Sequence, residues 1–198
     1  MSTTRPARWT EVLHLRDEVR HTDGSVGELQ MSLAKAVYQT VPVPYAKCGY
    51  FTDITQPTPK LVGFLGRVAR RLGVHGVDAT ACFHLDQGMG GGKSHALVGL
   101  WHMVCSPDQF RDSELGREVY DVAGQARHDV DLSNVHTVVL TCDAFSPGKS
   151  DPMFGPATDL FGRFIWSLFD GHADRSGRYQ HYLDRGANKA TLQEAFAE

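Results

Sequence analysis

Hydrophobic side chains in the first 76 residues recur at helical spacing, with polar residues between them. This pattern predicts three helices, over residues 9–19, 27–39 and 59–72. Pro42 and Pro44 end the second helix, because proline cannot donate the helical hydrogen bond. The stretch 45–59 before the third helix is predicted to be an ordered loop. We therefore predict an N-terminal helical extension over residues 1–76.

The pattern changes after residue 76, where short continuous apolar runs alternate with helical segments. The runs at 79–85 and 136–142 are too short for ordinary helices, and the second is rich in β-branched residues, so both are predicted to be strands. Helical spacing predicts five more helices, over residues 93–105, 112–122, 159–169, 179–183 and 191–197. Helices on both sides of strands indicate an α/β fold with a parallel sheet over residues 77–198.

Composition and charge are typical of a soluble globular protein. The 198 residues include 20 Lys and Arg against 23 Asp and Glu, and the net charge of −3 gives no general attraction to nucleic acid. No apolar run approaches the roughly 18 to 20 residues of a membrane helix, and the N-terminus lacks the apolar segment of a secretory signal. We therefore expect a cytoplasmic protein that does not contact a membrane.

Neither the cysteines nor the histidines show the spacing of a metal site. No Cys-x-x-Cys pair occurs among the four cysteines, which are Cys48, Cys82, Cys105 and Cys142. This spacing predicts free thiols. The ten histidines include no His-Glu-x-x-His motif, although His95 and His102 lie seven residues apart on one face of a predicted helix. A zinc site is therefore not favoured.

A glycine-rich loop joins the first predicted strand to the helix over residues 93–105. It places four glycines within five residues and follows them with Lys93 and Ser94 at the helix start. Glycines let backbone N–H groups converge on phosphate oxygens, and the positive end of the helix faces the same anion. Lys93 can reach the β- and γ-phosphates, and the Ser94 hydroxyl can ligate Mg²⁺. We predict an ATP and Mg²⁺ site formed by Gly88, Met89, Gly90, Gly91, Gly92, Lys93, Ser94 and His95.

The loop departs at one position from the usual pattern Gly-x-x-x-x-Gly-Lys-[Ser/Thr]. Gln87 stands where the first glycine is expected, so either Gly88 makes the turn or the loop begins differently. A merely flexible connection would explain the glycines, but it would not explain the adjoining Lys93 and Ser94. Nucleotide binding is therefore the favoured interpretation.

The loop resembles the Gly-Gly-Gly-Lys-Thr-His loop of large bacterial ATPases found in phage growth limitation and bacteriophage exclusion clusters. Residues 9–19 are similar to that family's Trp-x-x-Val-Leu-x-Leu-Arg-x-Glu-Val segment, and residues 50–58 and 160–166 are similar to two further family segments. The resemblance implies a P-loop NTPase-type core and a role in phage defence. It also implies a nucleotide cycle that drives conformational change or assembly, through self-association or contact with other phage-defence proteins.

Two positions remain open for the acidic Walker B residues that would order Mg²⁺. The resemblance implies a strand ending in Asp-Glu beyond a segment like residues 186–196. The chain would then be the N-terminal part of a longer ATPase, with an incomplete core, and hydrolysis would need residues beyond it. Alternatively, residues 136–143 form the Walker B strand, and Asp143 at its end is a weak candidate Mg²⁺ ligand and catalytic residue. Ala144 stands where a glutamate is expected, which counts against Asp143.

Two other functions remain open. A complete small nucleotide-dependent kinase or transferase would use Asp143 as its acidic residue, and a non-enzymatic interaction module would bind nothing at the loop. Arg67, Arg70 and Arg71 give the third predicted helix a basic face. That face could meet DNA phosphate or a neighbouring subunit, but a solvated face is favoured.

Overall fold

The computed structural model describes residues 8, 12–13, 31–73, 80–86, 88, 90–124, 130–133, 135–142 and 145–197. In chain order the α-helices of these residues are α1 (Leu33–Tyr38), α2 (Cys48–Ile54), α3 (Pro59–Gly73), α4 (Lys93–Cys105), α5 (Pro107–Asp112), α6 (Glu114–Ala123), α7 (Leu160–Leu168), α8 (Arg175–Arg185) and α9 (Lys189–Ala195). Two short 3₁₀ helices, Pro44–Ala46 and Pro152–Phe154, accompany them. None of the described helices is long and apolar enough to cross a membrane.

The predicted α/β fold with a parallel-sheet P-loop NTPase-type core is wrong, because the described residues contain no strand. Where they are described, both apolar runs predicted as strands instead lack regular secondary structure, and each packs against a helix. Phe83 in the first run contacts Phe64 of α3 edge to face, with ring centroids 5.7 Å apart. In the second run the Val139 carbonyl accepts a hydrogen bond of 2.8 Å from the Tyr38 hydroxyl. An apolar run favours a buried strand, but a strand also needs a backbone partner that the run itself cannot supply, and no described residue of either run is fully buried.

Most helices predicted from the periodicity are confirmed, with their ends shifted by a few residues. Side-chain caps define several of these ends. The Ser113 hydroxyl accepts a bond from the Gly116 N–H at the start of α6, and the Asp159 carboxylate accepts one from the Gly162 N–H at the start of α7. The predicted ordered loop over residues 45–59 is partly wrong, since it contains α2. Apart from Val12 and Leu13, the predicted helix over 9–19 lies outside the described residues.

The larger hydrophobic cluster is formed by the six helices from α1 through α6. Its fully buried side chains include Phe51, Leu65, Val98 and Phe110. Helices α3 and α6 pack closely because Gly66 of α3 has no side chain to separate them. A Cβ built at Gly66 would stand 3.0 Å from the Val119 carbonyl oxygen on α6. This cluster fixes α3 beside α4, and those two helices flank the candidate site.

A second hydrophobic cluster is formed by α7, α8 and α9 with the 3₁₀ turn Pro152–Phe154. Phe169 and Tyr182 stack in it with centroids 5.4 Å apart. The Arg163 guanidinium is buried between the rings of Phe145 and Phe154, at 4.8 and 4.7 Å from their centroids. The predicted domain boundary at residue 76 stays a prediction.

Candidate functional site

The described glycines of the loop form a compact turn at the start of α4. The Gly91 N–H donates to the Gly88 carbonyl at 3.1 Å, and Gly90 and Gly92 have φ angles of +79° and +80°. These left-handed conformations favour glycine. A Cβ at Gly90 or Gly92 would meet no described atom within 4 Å, so the described residues leave the space in front of the loop open. A ligand can therefore approach the backbone there closely.

Helix α4 begins without a side-chain cap. Gly92 occupies the N-cap position, and a glycine offers no side-chain acceptor to the first-turn N–H groups. Such N–H groups have no partner within the helix and carry the positive end of its dipole. They are the donors that an anion would use.

Lys93 spans the loop. Its Nζ donates to the Gly88 carbonyl at 3.1 Å, so the ammonium group lies over the glycine turn instead of extending into solvent. Ser94, the next residue, is exposed at the same end of α4. The two residues are consecutive at the start of α4, and of the two only Lys93 is among the described residues that line the cleft at the loop.

His95 anchors the first turn of α4 to the segment after α2. Its Nε2 lies 2.9 Å from the Thr55 hydroxyl, and that hydroxyl donates at 2.6 Å to the Phe51 carbonyl. Because the Thr55 proton is used on Phe51, Nε2 carries the proton of the imidazole and donates it to Thr55. Burial lowers the pKa of His95, so the ring is neutral at pH 7. His95 therefore positions the helix and adds no charge.

The loop opens into a cleft of about 1050 Å³ between the start of α4 and the first half of α3. Its apolar lining includes Phe64, Phe83 and Leu85. Its cationic side chains are Lys60, Arg67 and Lys93, and the described lining residues include no carboxylate. This local positive charge contrasts with the net charge of −3 for the whole chain. The cleft is therefore suited to an anion with an apolar part.

The structure brings most of the predicted site residues together. The described residues Gly88, Gly91, Gly92, Lys93 and His95 all line the cleft, and Gly90 and Ser94 lie in the same turn. Met89 and Asp143 lie outside the described residues. The roles predicted for Asp143, as a Mg²⁺ ligand, as a catalytic residue and as the acidic residue of a kinase or transferase, therefore stay predictions.

Two further cationic residues of the cleft are not indicated by the loop motif. Lys60 and Arg67 belong to α3, and the sequence pattern assigns Arg67 to a solvated basic face. Arg67 is exposed but lines the cleft, whereas the described lining does not include Arg70 or Arg71. The spacing of Lys60, Gly63 and Arg67 on one helix face is visible in the sequence. The position of that face beside the loop is not.

The donor set of this site suits Mg²⁺ that arrives with phosphate. No group of three or more His, Cys, Asp or Glu that could hold a metal ion occurs among the described residues. Ser94 offers one exposed hydroxyl oxygen, and Mg²⁺ commonly takes few protein ligands and completes its shell with phosphate oxygens and water. The described residues therefore fit a nucleotide-bound Mg²⁺ better than a resident metal ion.

These features define a helical protein with a glycine loop and a lysine at the edge of a cationic cleft. The family model of the DUF499 N-terminal domain matches residues 8–186, and the chain belongs to the DUF499 family. The function of that family is unknown, so membership assigns neither a ligand nor a role in phage defence. No curated protein and no solved structure matches the chain.

Proposed function

We propose that the chain binds ATP together with Mg²⁺ in the cleft, with the triphosphate on the loop from Gly88 to Ser94. The observation that supports this most strongly is the position of Lys93. Its ammonium group lies over a glycine turn whose front is open, at an uncapped helix start, inside a cleft with two further cations. A polyphosphate satisfies all of these groups at once.

In the proposed complex, the backbone N–H groups, Lys93 and Ser94 make different contacts with the triphosphate and Mg²⁺. Backbone N–H groups at Gly92 and in the first turn of α4 donate to phosphate oxygens, as at other anion sites on helix starts. Lys93 exchanges its bond to the Gly88 carbonyl for a phosphate oxygen, which forms a stronger charge-assisted bond. The Ser94 hydroxyl ligates Mg²⁺, which neutralises phosphate charge when bound.

The remainder of the cleft has room for the nucleoside. A volume of about 1050 Å³ is slightly above the range of about 300 to 1000 Å³ that is common for small-molecule sites. The apolar side chains Leu61, Phe64 and Phe83 of the lining offer a surface for a flat base. Binding of the whole nucleotide is therefore sterically reasonable, beyond binding of phosphate alone.

The wider role that we propose comes from the resemblance of the loop to those of phage-defence ATPases. In that role the chain would couple ATP binding to conformational change or assembly, either by self-association or with other phage-defence proteins. The proposal implies a cytoplasmic protein, since ATP and intracellular phage components are found there. We propose binding for the described residues, because turnover needs an acidic residue that they do not supply at the cleft.

Isothermal titration calorimetry with ATP·Mg²⁺ tests the proposal. Lys93→Ala is expected to weaken binding by about tenfold or more, since one charge-assisted contact to phosphate is lost. Its circular dichroism should match that of the unsubstituted protein, because the Lys93 bond to Gly88 is exposed. Lys189→Ala is the matched control, since Lys189 is exposed and does not line the cleft. A folded protein that binds no ATP·Mg²⁺ would refute the proposal.

A further inference from the structure

Helix α3 forms the second side of the cleft, and its charges point to a role beyond the loop motif. Lys60, Gly63 and Arg67 lie at positions i, i+3 and i+7 of α3, which places them on one face of the helix. All three line the cleft. This face therefore meets the same space as Lys93 of α4.

Gly63 shows where the Arg67 guanidinium lies. A Cβ built at Gly63 would stand 3.8 Å from Nη1 of Arg67, so the arginine side chain folds back along the helix over Gly63. Because Gly63 itself lines the cleft, the charge of Arg67 lies along the cleft wall. Among the described residues, neither Lys60 nor Arg67 forms an ion pair within 4.0 Å with a carboxylate.

The number of cations indicates the kind of anion that fits the cleft. Lys93 alone would suffice to contact one phosphate. Lys60 and Arg67 add two positive charges from a different helix, and no described carboxylate of the lining offsets them. Coulomb attraction grows with the charge of the ligand, and it is stronger in a partly enclosed cleft than in open water. The arrangement therefore favours the most highly charged nucleotide.

We propose that Lys60 and Arg67 bind the terminal phosphate from the α3 side of the cleft and make the site selective for a nucleoside triphosphate over a diphosphate. This inference rests on the proposed function. Lys93 and the loop hold the phosphates that both nucleotides share, and the α3 cations contact the phosphate that only the triphosphate has. Loss of that phosphate would release α3 from the ligand while the loop remains occupied.

Calorimetric titrations with ATP·Mg²⁺ and ADP·Mg²⁺ test this assignment through the ratio of the two affinities. For Arg67→Ala and for Lys60→Ala we expect ATP affinity to fall by about fivefold to tenfold, with little change for ADP. Arg71→Ala is the matched control, since Arg71 is exposed on the same helix and does not line the described cleft. It should leave both affinities unchanged. Arg67→Lys should restore part of the preference for ATP, because it returns the charge.

The outcomes separate this inference from the proposed function. If Lys93→Ala weakens ATP binding but Arg67→Ala and Lys60→Ala behave like Arg71→Ala, the assignment of the α3 wall is wrong and ATP binding by the loop stands. If Arg67→Ala and Lys60→Ala weaken ATP and ADP binding equally, the proposed selectivity for the triphosphate is wrong. If the folded unsubstituted protein binds neither nucleotide, both proposals are wrong. If Arg67→Ala does not fold, the ratio of ATP to ADP affinity in Lys60→Ala decides whether the α3 cations bind the terminal phosphate.

Discussion

Thr55 and His95 are joined by a hydrogen bond of 2.9 Å, although 40 positions separate them in the chain. The bond connects the end of α2 to the first turn of α4, directly after the loop. Phe51 of α2 packs against the rings of both His95 and His102, with centroids 4.8 and 5.1 Å away. The first turn of α4, directly after the loop, is therefore tied to α2.

This support makes stability dependent on pH. Burial lowers the pKa of His95, and it lowers that of His102 against the opposing effect of a hydrogen bond to the Tyr45 carbonyl. A histidine whose folded-state pKa is below its ordinary value of 6.5 makes its full contribution to the free energy of unfolding above pH 6.5. That contribution is lost as the pH falls from 6.5 through the folded-state pKa. We expect the free energy of unfolding, measured in urea, to fall between pH 7.5 and pH 5.

The contribution of His95 is separable from that of the other titrating groups. In His95→Gln, which retains an N–H donor for Thr55, the fall in unfolding free energy on acidification should be smaller than in the unsubstituted protein. His136→Gln removes an exposed histidine and should leave the fall unchanged. Equal pH dependence in His95→Gln and the unsubstituted protein would show that burial of this ring does not control its protonation.

The close packing of α3 on α6 makes two glycines of one helix differ in their response to substitution. A Cβ at Gly66 would stand 2.9 Å from Val122 Cγ1 as well as close to the Val119 carbonyl, so α6 must move. Gly66→Ala should therefore destabilise the protein by about 1–2 kcal/mol. Among the described residues, the added methyl group of Gly63→Ala meets only Arg67 Nη1, in ordinary contact, and the substitution should stabilise α3 by about 0.5–1 kcal/mol through helix propensity.

Urea denaturation of both variants at one pH measures the difference. The two substitutions add the same methyl group to the same helix, so each serves as the control for the other. A similar shift of the urea midpoint in both variants, in either direction, would mean that α3 and α6 are not in close contact at Gly66.

The cysteines should react with alkylating reagents at very different rates. Cys48 is buried at the start of α2, and burial raises its thiol pKa from 9.0 to about 11, so its thiolate fraction is about a hundredfold lower than that of an ordinary thiol. Cys82, Cys105 and Cys142 are exposed. With iodoacetamide at pH 8, mass spectrometry of peptides should show label at the three exposed cysteines and protection of Cys48. Denaturant should remove that protection. Early labelling of Cys48 in the native protein would contradict its burial.

Helices were the predictable part of this fold because their signals are local. The spacing of apolar residues in α3 and α6, and the caps at Ser113 and Asp159, are contained within a few residues of sequence. The predicted sheet failed because a strand depends on a distant partner. The run at 136–142 is β-branched, yet in the described structure its Val139 carbonyl pairs with a tyrosine side chain.

The candidate site likewise has a part that could be predicted from the sequence and a part that could not. The loop and Lys93 were predictable, since the motif places them within seven consecutive residues from Gly88 to Ser94. The cations of α3 were not, because only tertiary packing brings Arg67 to the same cleft as Lys93. Likewise, the partner of His95 could not be named from sequence, since Thr55 has no motif of its own.

Backbone amide NMR during titration with ATP·Mg²⁺ tests the central claim most directly, because it reports where on the chain the nucleotide binds. We expect the largest ¹H–¹⁵N shift changes at Gly90, Gly92 and Lys93, where N–H groups would donate to phosphate oxygens. Lys189 and Ala190, exposed at the start of α9 and remote in sequence from the loop, serve as the internal reference. Unchanged amide shifts throughout the loop at saturating ATP·Mg²⁺, or changes confined to residues outside the cleft, would contradict the account.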